Sequence, residues 1–307
     1  MHVKDNFAVK KRIKKEGFVS KRKRNVQTLR LSGVDFEVVD VNCSICSRKV
    51  CYNKLVNREA RSEGMLALTY EKLMRFLLQD EDQKEFVREL ANKRKGSFKT
   101  YMRRGIFCSA DEELEELGYI LEQMGLDETA LGVDDATLIL FKRGYILPVW
   151  DGYNNLLFFI NYSWLRDKSK KYLNIYPIEN QKNIKAMKMY GMHNLKQALQ
   201  EDRIFVVEGA FDVLRLEEYG LPAVCLLGTK VMPYHKQFLS RFSTVIYIQD
   251  EDGAGEGAWS KFKREIPHAL AYRMSGVYKD VDEYAEKSKL EFEEWLHPLL
   301  TLGKRTA

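Results

Sequence analysis

Six carboxylates stand out by their spacing. Glu208 is followed by Gly209 and, one helical turn later, by Asp212. Asp250 and Asp252 form one Asp-x-Asp pair, and Asp280 and Asp282 form another. Each group follows a short apolar run, at 203–207, 244–249 and 269–274. Carboxylates gathered at one place repel one another, so either their proton affinity rises or cations neutralise them. A set made only of oxygen ligands, with no His or Cys, suits Mg2+ or Mn2+ better than Zn2+. A lone Asp-x-Asp after a strand is commonly a turn or a cap. Three acidic groups at three strand ends of one unit point instead to a metal site. Gly209 permits a tight turn, while Gly253 and Gly255 loosen a loop just before a helix whose first turn suits a phosphate.

The elements that must position these groups are legible in the last third of the chain. Runs at 203–207, 223–227, 244–249 and 269–274 read as strands, with helices through Tyr219-Gly220, from near Pro233, and through Lys263. Five- or six-residue strands alternating with helices imply a parallel sheet covered on both faces. In such a sheet the crevice lies at the carboxyl ends of the strands, where all six carboxylates fall. Upstream, 34–39 alternates as a strand and 69–95 has helical spacing, closed by the basic Lys93-Arg94-Lys95-Gly96. The segment 111–135 carries ten acidic residues and no Lys or Arg. Its apolar stripe predicts a packed helix closed by Gly125. Runs at 137–141, 145–150 and 156–162 read as strands, the last two joined by a hairpin turn at Asp151-Gly152-Tyr153-Asn154-Asn155.

Composition narrows the class. The chain has 307 residues, of which 45% are hydrophobic and 31% charged. That excludes a disordered chain, a collagen and a disulfide miniprotein. No apolar run reaches the roughly 18 residues needed to span a bilayer, so no membrane partner is expected. The start is basic without an apolar stretch, which argues against a secretory signal. Five cysteines form no even framework, so free thiols in a reducing cytoplasm are expected. The net charge of +6 is uneven. Residues 1–30 hold eleven Lys and Arg against Asp5 and Glu16, and the rest is slightly acidic. A basic arm on a near-neutral body suggests a polyanion partner.

Four stretches together resemble one known module. They are Val207-Glu208-Gly209-Ala210-Phe211-Asp212-Val213, then Leu227-Gly228-Thr229, then Asp250-Glu251-Asp252-Gly253-Ala254-Gly255, then Lys279-Asp280-Val281-Asp282-Glu283. Their order resembles the Toprim domain shared by primases, topoisomerases and certain nucleases. The flank Lys171-Tyr172-Leu173-Asn174 with Pro177, Glu179, Lys185 and Tyr190-Gly191 resembles the bacterial-type (DnaG-like) primase just before its Toprim core. The likeness covers about 119–286. It implies an α/β fold: a Toprim parallel-sheet domain at 201–286 with helices on both faces, preceded by a mixed α/β basic lobe at 111–200. A basic N-terminal region at 1–110 and a short helical tail at 287–307 complete the expected layout, with 283–300 one amphipathic helix or a short bundle.

By that resemblance Glu208, Asp250 and Asp252 are the principal catalytic and metal-ligating groups. Asp212, Asp280 and Asp282 complete the acidic rim. Lys171, Asn174 and Lys185, with Arg166, Lys168, Lys170 and Lys230, are the expected nucleic-acid or nucleotide contacts, and Tyr172 or Trp164 could stack on a base. Two departures stand out. Glu251 replaces the usual glycine between the aspartates, and Asn161-Tyr162 stands where the family has Gly-Arg, leaving Arg166 or Lys168 to substitute. Such primases begin with a zinc ribbon. Here Cys43, Cys46 and Cys51 are the only candidate zinc ligands, and a closed site needs four, so a degenerate finger is expected. With no helicase-binding domain after the core, the trimming fits a compact phage primase.

The implied function is synthesis of short RNA primers on single-stranded DNA by two-metal nucleotidyl transfer. Its implied partners are a DNA template, ribonucleoside triphosphates and a replicative helicase. The competing readings are a Toprim nuclease, which turns the same metals on water, and a non-catalytic nucleic-acid adaptor. All of this depends on the carboxylates converging on cations instead of being spread apart or held against arginines.

Overall fold

The computed structural model describes residues 26–31, 34–40, 50–51, 68–109, 113–163, 171–178, 181–228, 230–249, 253–274 and 278–303. The chain divides into two units, 1–56 and 57–307. In the first, β1 (Val26–Leu31), β2 (Val34–Asp40) and β3 (Val50–Cys51) make an antiparallel sheet in that order. Val39 lies opposite both Val26 and Cys51. Cys43, Cys46 and the basic arm before Val26 lie outside the described residues.

The second unit opens with helices. The helix expected over 69–95 is two, α1 (Tyr70–Leu77) and α2 (Glu81–Lys93). The break is chemical. The Asp80 carboxylate accepts the Gln83 N–H at 2.8 Å and caps α2. A capping residue needs non-helical backbone, so an aspartate there ends one helix and starts the next. After α3 (Phe98–Arg103) and β4 (Phe107–Ser109), the acidic segment forms α4 (Glu115–Gln123). It buries Leu117, Ile120 and Leu121. The run at 137–141, expected as a strand, is α5 (Asp135–Leu138) continued by a 3-10 turn, Ile139–Phe141. Asp134 caps α5 by accepting the Thr137 N–H at 2.7 Å. A cap just upstream overrides a short apolar run whose period is ambiguous.

Strands β5 (Gly144–Trp150), β6 (Leu156–Tyr162) and β7 (Tyr172–Ile175) follow, and the antiparallel sheet has the order β4-β5-β6-β7. Asp151 builds the β5–β6 turn by accepting the N–H groups of Tyr153 and Asn155 at 2.8 and 2.9 Å. Because β4 pairs with β5, the helices before it share this lobe's core. The contact boundary falls at 56/57, not at 110.

The last part alternates as expected. α6 (Gln181–Ala186), a 3-10 turn at Met192–Asn194 and α7 (Leu195–Glu201) lead into β8 (Arg203–Val207). Then come α8 (Ala210–Glu218), β9 (Ala223–Cys225), α9 (Pro233–Leu239), β10 (Thr244–Gln249), α10 (Gly253–Glu265) and β11 (Leu270–Arg273). The tail is α11 (Val281–Lys287), α12 (Lys289–Leu296) and a 3-10 turn, His297–Leu300. The four strands pair in parallel in the order β11-β10-β8-β9.

Alternation shows that the central strands are buried on both sides. Ile204, Val206, Val245 and Tyr247 join one core with Phe238, Leu239 and Phe262. Phe205, Val207, Ile246 and Ile248 join the other with α8, α11, α12 and the antiparallel lobe. Each such side chain, fully buried, contributes roughly 1.5–3 kcal/mol. Arg203, 1% exposed, donates to the carbonyls of Leu299, Leu302 and Leu300 at 2.6, 2.9 and 3.1 Å, which satisfies the end of the closing turn.

Candidate active site

The parallel order of the strands brings the ends of β8, β9 and β10 to one edge. Glu208 follows β8 directly and is exposed. The Tyr247 hydroxyl donates to its Oε1 at 3.2 Å. This contact follows from register. Val206 pairs with Tyr247, so the next same-face side chain on β8 is Glu208. Oε2 of Glu208 accepts no hydrogen bond among the described residues. Asp250 and Asp252, expected beside it after β10, lie outside the described residues, as do Arg166, Lys168 and Lys170.

The other three carboxylates converge, but on different partners. Asp212 is 4% exposed, and both its oxygens accept backbone N–H groups, from Gly209 and Asp282, each at 2.9 Å. Burial, and then the charges of Asp280 and Asp282, push its carboxyl well above the usual range. Asp280 caps α11, accepting the Glu283 N–H at 2.8 Å. Asp282, expected on the rim, is 2% exposed. Its Oδ1 accepts from Arg215 at 2.9 and 3.2 Å, and its Oδ2 pairs with Arg94. Asp212 and Asp282 therefore brace the starts of α8 and α11 and offer no open ligand face. Among the described residues no group of three His, Cys, Asp or Glu side chains is arranged to hold a metal. Of the expected ligands, only Glu208 is described with an oxygen to spare.

The arginines that hold Asp282 tie the two lobes together. Arg215 also donates to the carbonyls of Arg94 and Lys95, at 2.7 and 2.8 Å, beyond the end of α2, and to Glu218 at 2.8 Å. The basic end of α2 thus faces a carboxylate as well as solvent. Two residues along α8, Glu217 accepts from Arg103 at 2.6 Å, from Arg104 Nε at 2.7 Å and from His193 at 3.1 Å. Burial alone would raise the Glu217 carboxyl, but hydrogen bonds from His193 and Arg104 outweigh it and hold the pKa at about 2. Burial drives His193 the other way, below the usual imidazole range.

The lobe residues meet this rim through aromatic rings. Lys171 Nζ lies 5.4 Å from the Tyr162 ring centroid. Tyr162 packs edge-on to Phe211 at 4.8 Å and lies 5.1 Å from Tyr172. Arg94 covers Phe211 at 3.8 Å and donates to the Tyr162 hydroxyl at 2.9 Å. Phe211 immediately precedes Asp212, so Lys171 and half-exposed Tyr172 stand beside the start of α8. Lys185 and Asn174 gather elsewhere. Lys185 Nζ donates to Gln181 at 2.8 Å and lies 5.2 Å from the Tyr176 ring, and Asn174 lies on β7 two residues before Tyr176. Lys230 is exposed. Trp164 lies outside the described residues.

Sequence reasoning missed Tyr247, Arg94, Arg215 and Glu217. Arg215 carried a signal, since it sits in an apolar stretch between Leu214 and Leu216. Arg94 carried none, because nothing separates it from the lysines on either side.

Comparison with known proteins agrees with this architecture. Residues 205–285 match the family described as Toprim-like. A DNA primase of Legionella pneumophila is 31% identical over 135 residues, covering 43% of this chain and 23% of the relative. The chain thus matches about a quarter of that relative's length. The zinc-binding and RNA polymerase domains of the Aquifex aeolicus primase superpose with a TM-score of 0.59 at 23% identity, over 80% of this chain and 63% of that one. A DnaG primase catalytic domain bound to single-stranded DNA superposes with a TM-score of 0.52 at 22% identity, over 74% and 81%. The chain carries a Toprim-like domain. That domain is set within the fold of a DnaG-like primase catalytic core. No helix among the described residues is long and apolar enough to cross a membrane.

Proposed function

We propose that the chain synthesises RNA primers on single-stranded DNA, using divalent cations gathered by Glu208, Asp250 and Asp252. One observation carries the reading: Glu208 stands at the tip of β8 with an oxygen that no described residue engages, in a Toprim-like domain joined to a basic lobe through Phe211, Tyr162 and Lys171. An oxygen-only donor set fits Mg2+ or Mn2+. Bound there, the ions would activate the attacking hydroxyl and stabilise the departing pyrophosphate.

The chain's own part is position and charge. Tyr247 orients the Glu208 carboxylate. The Asp212 and Asp282 braces hold the starts of α8 and α11 at the rim. Lys171 attracts phosphate beside it, and Tyr172 offers a ring face to a base. No side-chain nucleophile is required.

The test supplies single-stranded DNA, labelled ribonucleotides and Mg2+. Short RNA products that disappear in Glu208→Gln, Asp250→Ala and Asp252→Ala are expected. DNA cleavage without synthesis would replace this reading with a metal-dependent nuclease. DNA binding without product, unchanged by any of the three, would leave an adaptor.

A further inference from the structure

Lys188 occupies a place that the reading above leaves unused. Tyr190 and Cys225 exchange both backbone hydrogen bonds at 2.9 Å, so the segment before Gly191 runs antiparallel along β9. Cys225 in turn pairs with Val207 of β8. Val207, Cys225 and Tyr190 therefore form one row across the sheet. Because that segment is antiparallel to β9, Lys188, two residues before Tyr190, stands toward the carboxyl end of β9, the same sheet edge at which Glu208 follows β8.

The surroundings hold it there. Met187 and Met189 on either side are buried. The Lys188 carbonyl accepts a hydrogen bond from His235 Nε2 at 3.0 Å, while His235 Nδ1 accepts the Met232 N–H at 3.2 Å. Both contacts need the same neutral tautomer. Leu227, in the turn after β9, has a left-handed backbone with φ of 48°. The Lys188 ammonium lies 3.8 Å from where a side chain on Gly228 would begin. It is half-buried and pairs with no carboxylate among the described residues. A half-buried ammonium held at this edge with no carboxylate partner among the described residues is suited to an anionic ligand as a point charge.

We propose that Lys188, with the turn at Gly228, binds the phosphates of a nucleoside triphosphate. This rests on the primer-synthesis reading for its substrate class. A triphosphate is favoured over template DNA because Lys188 lies at the carboxylate edge, where the reacting phosphates must come. Lys171 and Tyr172 already serve the lobe beside it.

Equilibrium dialysis of the full chain with labelled ATP and Mg2+ tests this without requiring synthesis. Lys188→Met is expected to weaken ATP binding about tenfold, as loss of one charge-assisted contact does. Lys188→Arg is expected to recover most of the affinity. Single-stranded DNA affinity and melting temperature should stay unchanged in both. In primer synthesis, Lys188→Met should raise the ribonucleotide KM with little change in kcat. ATP affinity equal in wild type and Lys188→Met overturns the proposal. So does a wild type that binds no ATP, a parallel loss of DNA affinity, or a Lys188→Arg as defective as Lys188→Met. Lys188-dependent ATP binding in a chain that makes no RNA would sink the primer reading alone. RNA synthesis with an unchanged KM in Lys188→Met would sink this proposal alone.

Discussion

Asp282 holds two guanidinium groups inside the protein, so its value lies in what its removal would strand. Asp282→Ala leaves buried Arg94 without its counter-charge and Arg215 with Glu218 alone, and breaking such a buried pair typically costs 3–5 kcal/mol. Chemical denaturation should show that loss, and a variant as stable as wild type would mean the arginines find other acceptors. Glu208 is the opposite case. It is exposed and, among the described residues, touches only the Tyr247 hydroxyl, so Glu208→Gln should abolish synthesis with a stability change under about 0.5 kcal/mol. Tyr247→Phe should reduce the rate partially with the fold intact, which kcat measurements on the folded variant will read. Two acidic residues that look alike in the chain thus divide into a buried brace and an exposed carboxylate by burial and partner.

At the scale of elements, the position of the edge segment depends on Gly191. Its φ is 97°, and a Cβ there would overlap the Ala223 carbonyl oxygen and crowd Val213. Gly191→Ala is expected to destabilise by on the order of 1–3 kcal/mol, from left-handed strain plus that overlap. It should also loosen the Tyr190–Cys225 bridge, which amide hydrogen exchange at those two residues would report. Elements were legible where two signals agreed. β6, β8 and β10 have the bounds read from the apolar runs, because length and flanking turns left one interpretation. The errors fell where capping decided the outcome. Asp80 split a helix, and Asp134 turned an apolar run into helix. A capping side chain acts over three residues, below the window in which periodicity is counted.

For the whole molecule, the Glu217 cluster makes cohesion between the lobes pH-dependent. Its folded pKa of about 2 lies below the ordinary 4.5, so the stabilisation is complete above about 4.5 and is lost as pH falls toward 2. The shift corresponds to about 3 kcal/mol. Acid titration of unfolding should lose that amount within this window. Glu217→Gln should flatten it while lowering stability at neutral pH, because Arg103, Arg104 and His193 then face a neutral partner. The contact boundary adds an expectation of its own: residues 57–307, expressed alone, should fold cooperatively with a melting profile close to that of the same unit in the full chain.

The amino-acid order by itself determined the alternating α/β pattern, the parallel sheet and the edge to which acidic residues are delivered. Those depend on local period and on the rule that ligands gather at strand ends. Only the tertiary structure decided which acids face outward. Asp212 and Asp282 are turned inward by backbone N–H groups and by arginines from 67 to 188 residues away in the chain. The same packing brings Lys188 alongside β9. Such pairings depend on distances between segments remote in the chain, and local spacing carries no record of them.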